Sequence, residues 1–132
     1  MITTEDMALI ISEYLGTFDM PIFVKGHIPI GKVGNDGRIT IIPKADSEGK
    51  VFNKCFVEVN FILPDVDGEA NFRLDDVERA AYAAFKDGMA GQYNEQYYDI
   101  SYSRRSREED AGLKCHYVHL QLLFQTLNVI GG

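Results

Sequence analysis

The chain of 132 residues contains no tryptophan, two cysteines and four prolines. Two cysteines, Cys55 and Cys115, are too few for the disulfide framework of a small secreted protein. No apolar run approaches the roughly 20 residues of a membrane-spanning helix, and the first residues are acidic where a secretory signal peptide is basic. The sequence therefore predicts an intracellular, water-soluble single domain, with a core large enough to fold without metal or disulfide cross-links.

The chain also lacks an excess of positive charge. Thirteen Lys and Arg residues stand against 20 Asp and Glu residues, so the formal net charge is −7 and the isoelectric point is near 4.8. Proteins that bind nucleic acid or anionic lipid usually do so through a basic face that neutralises phosphates. We therefore expect no specific nucleic-acid partner and no membrane partner.

Two segments predict amphipathic helices. The first covers residues 4–15, with Thr3 as its N-cap and Asp6 in capping-box position. The second covers residues 71–86 and begins with Asn71 as a cap and acidic residues near its N-terminal end. Its apolar stripe consists of Leu74, Val77, Ala81, Ala84 and Phe85. Both helices are expected to pack on a sheet.

Other apolar segments predict strands. Residues 22–24 form a first short strand, and the dense glycines around residues 35–37 indicate a hairpin tip beside a second strand at 39–42. Residues 31–50 as a whole are expected to be mobile and to make contacts with partners. Residues 51–63 carry apolar side chains on both faces, which indicates a central strand that is covered on both sides.

A long hairpin with a polar outer half closes the chain. Apolar residues alternate between residues 98 and 102 and again between 118 and 124, while the acidic run at 108–112 supplies the turn. The element order is therefore α-β-β-β-α-β-β. The predicted fold class is α+β, with a mostly antiparallel sheet packed by two helices, and residues 1–132 form one domain.

Two segments come close to ligand-binding motifs. The stretch 26–32 has the spacing of a phosphate-binding loop, but Val33 stands where serine or threonine holds magnesium, and a turn follows instead of a helix. The stretch 65–76 has oxygen ligands at calcium-loop spacing, but Ala70 occupies the position of the required glycine. A solvated acidic loop is the better interpretation there, and cation binding stays open. We expect no catalytic residues, no resident metal and no cofactor.

One basic cluster interrupts the acidic chain. Arg104, Arg105 and Arg107 lie on the first strand of the terminal hairpin, where alternation separates Arg104 from the other two. Three interpretations are open: contact with RNA or DNA, a charged edge that blocks strand-to-strand aggregation, or complementarity with the acidic segment 65–78. A basic face and an acidic face on one chain are what a head-to-tail ring interface requires.

The order of these elements resembles a known family. An N-terminal helix leads into the strand entry at 20–23, a glycine-rich hairpin, and a long apolar strand that ends at 63–65. A helix that opens at 72–77 and a closing hairpin that ends at 119–124 follow. This layout is similar to that of tail-terminator, tail-completion and neck proteins of long-tailed phages and prophages, and the similarity spans nearly the whole chain.

The resemblance implies a structural protein without enzyme activity or cofactor. It implies a ring of identical subunits, commonly a hexamer, that caps the tail tube or joins tail to head, with the tail tube protein and the head–tail connector protein as partners. It also implies the host cytoplasm during assembly and the virion tail or neck afterwards. The residues expected to carry subunit or tube contacts are Arg104, Arg105, Arg107, Asp65, Asp67, Glu69, Lys32 and Arg38.

Two other functions stay open at the level of sequence. One is a small α+β ligand-binding domain or enzyme with a pocket between the second helix and the sheet. The other is an RNA-binding accessory protein, which would depend on the three arginines alone and would bind with steep salt dependence.

Overall fold

The computed structural model describes residues 1–44 and 54–127. They form α1 (Thr4–Glu13), β1 (Ile22–Val24), β2 (Arg38–Lys44), β3 (Lys54–Pro64), α2 (Leu74–Phe85), β4 (Met89–Tyr93), β5 (Gln96–Asp110) and β6 (Cys115–Leu127). A 3-10 turn at Gly16–Phe18 follows α1. The predicted α+β class is confirmed. None of the helices in this part of the chain has the length and apolarity needed to cross a membrane.

The strands form one six-stranded mixed sheet in the order β1-β2-β3-β6-β5-β4. Only the β1–β2 pair is parallel, and the four other pairs are antiparallel. The prediction that β3 is central is confirmed, since β3 lies between β2 and β6. The predicted terminal hairpin is also present as β5 and β6, although its acidic run mostly belongs to β5 and the turn occupies residues 111–114.

The hairpin predicted around residues 35–37 is wrong, because β1 and β2 run in the same direction. A turn does form there, with the Gly37 amide donating to the carbonyl of Gly34 at 2.9 Å. Parallel strands require a long crossover, and residues 25–37 supply it. Within the predicted mobile segment 31–50, residues 38–44 belong instead to a regular strand, and residues 45–50 lie outside the described residues.

Within residues 1–44 and 54–127, helices cover only one face of the sheet. Both helices pack on the face that carries Val57, Val59 and Phe61, and their buried residues join one core cluster with that face. Phe56, on the opposite face, is 44% exposed. The prediction of a strand covered on both sides is therefore wrong, because no helix of the described chain lies over that second face.

The helices begin close to where the sequence places them. In α1, the Thr3 hydroxyl accepts from the Asp6 amide at 3.0 Å and the Asp6 carboxylate accepts from the Thr3 amide at 2.9 Å, so the capping box is confirmed. The second helix begins at Leu74, three residues later than predicted, and Asn71 accepts from the Arg73 amide in the preceding turn. Ala84 is exposed and does not belong to the buried stripe.

Strand β4 was not predicted from the sequence. It is a short edge strand joined to β5 by Asn94 and Glu95, both with positive φ. Two successive residues of positive φ make the tight turn that matches strand twist, but glycine is the usual residue there. The absence of glycine at 94 and 95 is why the turn leaves no clear signal.

Candidate assembly surface

Ion pairs hold the outer half of the β5–β6 hairpin against α2. The Nε of Arg105 donates to Glu78 at 2.8 Å and the Nε of Arg107 donates to the other oxygen of Glu78 at 2.7 Å. A second nitrogen of Arg107 donates to Asp75. We call Asp75, Glu78, Arg105 and Arg107 the clamp. Charge-assisted bonds of this kind are stronger than neutral ones.

A bulge in β5 decides which arginines reach the helix. The pairing register shifts between Tyr102 and Arg104, so Ser103 is an additional residue. Tyr98, Ile100 and Tyr102 face the core below the bulge, and Arg105 and Arg107 face the same side above it. If Ser103 paired regularly with β6 and no bulge were present, alternation from Tyr102 would place Arg104 on the helix side instead.

The clamp shifts the ionisation of its members toward the charged forms. The hydrogen bond from Arg105 lowers the pKa of Glu78, and the hydrogen bond from Arg107 lowers the pKa of Asp75. The same bonds raise the pKa of both arginines. Arg105 also lies 4.5 Å from the centre of the Tyr82 ring and donates to the Tyr102 hydroxyl at 3.0 Å. Helix, arginines and tyrosines therefore form one interlocked contact.

The predicted complementarity between the arginines and the acidic segment is thus satisfied within one chain for Arg105 and Arg107. Arg104 lies on the opposite face, opposite Gln121, and is exposed. Among residues 1–44 and 54–127, no ion pair includes Arg104. Of the three arginines of the basic cluster, Arg104 is the one that no ion pair of the described chain neutralises.

The acidic segment after β3 forms a tight turn. Val66 and Glu69 pair as an isolated bridge, and Asp67 and Gly68 between them both have positive φ. This is a two-residue turn of the type that Asp-Gly favours. We call residues 66–69 the acidic turn. Asp67 and Glu69 are exposed and join none of the ion pairs in the described chain.

Asp65 behaves differently from the two acids that follow it. Its carboxylate lies 2.7 Å from Nδ1 of His116 on β6, and its side chain is only 12% exposed. The Nε2 of His116 lies 3.7 Å from Glu109 of β5. Asp65 therefore contacts the end of the hairpin instead of facing solvent. No local sequence signal predicts this contact, because Asp65 is distant along the chain from Glu109 and His116.

Arg38 is not available for contacts, which corrects its prediction as an interface residue. It is 6% exposed, and its guanidinium donates to the carbonyls of Pro29 at 3.2 Å and Gly31 at 2.9 Å. It holds the crossover against the start of β2. Lys32, on the same crossover, is exposed and can meet a partner.

The outer half of β5 is a free sheet edge. Strand β4 pairs with β5 only as far as Ile100. In the described chain, residues 104–110 pair with β6 on one side and with no strand on the other. Residues 103–109 are all exposed. The free edge is therefore a row of unpaired backbone groups with charged side chains.

The uncovered face of the sheet carries a polar depression of about 520 Å³ beside this edge. Asn60 donates to Thr40 at 3.2 Å, and its carbonyl oxygen lies 2.8 Å from Nδ1 of His119. Arg104 and Tyr117 also line the depression. The pocket predicted between α2 and the sheet is a different, smaller one of about 250 Å³, and the clamp residues themselves line it.

Comparisons with known proteins inform the fold. No family model matches the chain, and no curated protein is similar to it in sequence. One solved structure superposes with a TM-score of 0.60 and 15% sequence identity, over 90% of this chain and 88% of that chain. The name of that protein states no activity, ligand or partner. At this identity, the similarity concerns the fold alone.

Proposed function

We propose that the protein is a structural subunit that assembles into a ring, which caps the tail tube or joins tail to head in a long-tailed phage or prophage. The resemblance in element order suggests this role. The described fold retains the N-terminal helix, the long central strand, the second helix and the closing hairpin, but it has a parallel crossover where the resemblance includes a glycine-rich hairpin. The additional strand β4 lies at the far edge of the sheet and leaves that order intact.

The free edge of β5 is the observation that carries the proposal. A sheet edge with unpaired backbone groups is a ready site for another chain, and residues 103–110 present such an edge on a hairpin. The clamp fixes that hairpin to α2. Because the hairpin is held in place before binding, little conformational entropy is lost when a partner binds.

The unpaired charges suggest the direction of the contact. Arg104 is basic and exposed beside the free edge, while Asp67 and Glu69 are acidic and exposed on a different part of the surface. A contact between the acidic turn of one subunit and Arg104 of the next is head-to-tail, and head-to-tail contacts close into rings when the rotation permits. The hairpin tip and Lys32 then remain for the tail tube protein or the head–tail connector protein.

The proposed role requires no enzyme activity, no cofactor and no specific nucleic-acid contact. The net charge of −7 suits a ring through which DNA passes, since a negative wall repels phosphates. RNA binding is less well supported, because two of the three arginines are already paired with Asp75 and Glu78. The same pairs occupy the place between α2 and the sheet where a ligand pocket was predicted.

Light scattering and negative-stain images of the purified chain test the proposal. The wild type should form closed rings of one size. Arg104→Glu should abolish them, because the reversed charge would face the acidic turn of the neighbour. Lys25→Glu is the matched control, since Lys25 is exposed directly after β1, at the edge of the sheet far from β5, and its rings should persist. A monomer that tightly holds a small molecule in the 520 Å³ depression would support a ligand-binding domain instead.

A further inference from the structure

Three side chains from separate segments converge at the end of the hairpin. Asp65 comes from the connection between β3 and α2, Glu109 from β5, and His116 from the directly opposite position on β6. Each offers one ligand atom, and these three atoms all lie within 4.8 Å of one another. Glu109 and His116 are cross-strand partners on the helix side of the sheet, so the backbone register itself brings them together.

The distances give each residue a distinct role. Asp65 lies 2.7 Å from Nδ1 of His116. Because a carboxylate oxygen accepts, the neutral imidazole donates from Nδ1 in this contact and keeps its lone pair on Nε2. A histidine that is held in this way by a carboxylate is the usual arrangement of a metal-binding histidine. The freed Nε2 faces the carboxylate of Glu109 at 3.7 Å, which is too long for a hydrogen bond.

The gap between Nε2 and Glu109 has the size of a metal-bridged pair. Zinc lies about 2.0–2.2 Å from nitrogen and oxygen ligands, so in tetrahedral geometry the two ligand atoms are roughly 3.3 Å apart. The present separation is 3.7 Å, and the Glu109 side chain is 58% exposed. A small rotation of this side chain therefore brings the two atoms to the required distance.

We propose that His116 and Glu109 bind a zinc-class divalent transition metal ion, with Asp65 as the positioning residue and water in the remaining ligand positions. An imidazole with a carboxylate suits zinc and its neighbours in the first transition row, whereas magnesium and calcium prefer ligand sets made only of oxygen. The ion would lock the two strands of the hairpin together next to the segment that leads into the acidic turn. This inference is independent of the proposed ring.

Zinc titration of the full chain by calorimetry, together with thermal unfolding, tests the site. The wild type should bind one zinc ion per chain and gain thermal stability, because an ion that binds only the folded state stabilises it. Magnesium at the same concentration should do neither. Glu109→Gln should weaken zinc binding by at least about tenfold, and Asp65→Asn by about tenfold through loss of ring orientation.

Glu108→Gln is the matched control. It removes the same charge from the neighbouring residue, which lies on the other face of β5 opposite Tyr117, so its zinc affinity should equal that of the wild type. Circular dichroism of the metal-free variants confirms that each one folds. The proposal is overturned if the wild type shows no saturable binding up to about 1 mM zinc, or if Glu109→Gln and Glu108→Gln bind zinc equally.

Discussion

Removing the carboxylate at the centre of the clamp should loosen the hairpin. Glu78 accepts from both arginines, at 2.8 Å and 2.7 Å, through different oxygens. Glu78→Gln keeps the size of the side chain but removes its charge and replaces one accepting oxygen with a donor. One of the two arginines must then lose its hydrogen bond to residue 78. The variant therefore changes the hydrogen bonds and the charge of the clamp without leaving a cavity.

The size of the effect follows from the exposure of the side chains. A hydrogen bond to a charged group contributes about 1.5–3 kcal/mol when buried, while an exposed ion pair contributes about 0–1 kcal/mol. Glu78 is 25% exposed and the arginines are 36% and 41% exposed. The clamp lies between these limits, so Glu78→Gln should lower the free energy of unfolding by about 1–2 kcal/mol.

Urea unfolding followed by circular dichroism measures this loss, and amide hydrogen exchange locates it. Exchange should accelerate in residues 103–110 and in α2, and remain unchanged in β1 and β2. Asp76→Asn is the control, because Asp76 is 85% exposed and 3.4 Å from its partner Arg79; its unfolding free energy should fall by less than about 0.5 kcal/mol. Equal losses in the two variants would refute the argument that the clamp stabilises the hairpin.

Three further predictions concern the core, one glycine and pH. Phe61→Ala should lower the free energy of unfolding by about 3–5 kcal/mol, since Phe61 is fully buried. Phe56→Ala should lower it by under about 1 kcal/mol, because Phe56 is 44% exposed. Similar melting temperatures of the two variants would contradict this prediction. Gly37→Ala should destabilise the fold, as φ is +70° and a Cβ would collide with the Ile62 carbonyl; a native melting temperature would contradict it. The two carboxylates of the clamp have lowered pKa values in the folded state. Their contribution to the stability of the folded state should therefore be complete above pH 4.5 and be lost as the pH falls below it. A urea midpoint that does not change between pH 6 and about pH 3 would contradict this prediction.

Local sequence chemistry was enough to predict the helices and the central strand. The capping box of Thr3 and Asp6 and the apolar run of β3 are signals between neighbouring residues, and both are present in the structure. The direction of β1 was not predictable in this way, because a turn at residues 34–37 has the same local signature whether it joins a hairpin or lies within a crossover. Hydrogen bonds between distant residues, such as Ile39 to Pro21, decide it.

The candidate assembly surface is harder to predict from the sequence than the fold, because it depends more on contacts between residues that are distant along the chain. The alternation of side chains along a strand correctly places Arg104 on one face of β5 and Arg105 and Arg107 on the other. The bulge at Ser103 then determines that Arg105 and Arg107 are on the face that contacts α2. The burial of Arg38 likewise depends on the crossover folding back over β2. Charges predicted to meet a neighbouring subunit are partly neutralised within the chain, and this could not be inferred without the register of β5 and β6.

Disulfide trapping tests most directly the proposed head-to-tail contact between the acidic turn of one subunit and the free edge of the next. Two variants, Glu69→Cys and Arg104→Cys, are prepared separately, mixed and oxidised. The native thiols are not expected to form cross-links between chains, because Cys55 is 9% exposed and Cys115 is 1% exposed. Covalent dimers on a denaturing gel report the contact.

Covalent dimers are expected in the mixture and in neither variant alone, because a head-to-tail contact brings together two different surfaces. A mixture of Glu69→Cys with Arg79→Cys should give no covalent dimer. The proposed contact is contradicted if the mixture of Glu69→Cys and Arg104→Cys gives no covalent dimer. It is also contradicted if Arg104→Cys alone forms a covalent dimer, because either result argues against the head-to-tail contact on which the ring depends.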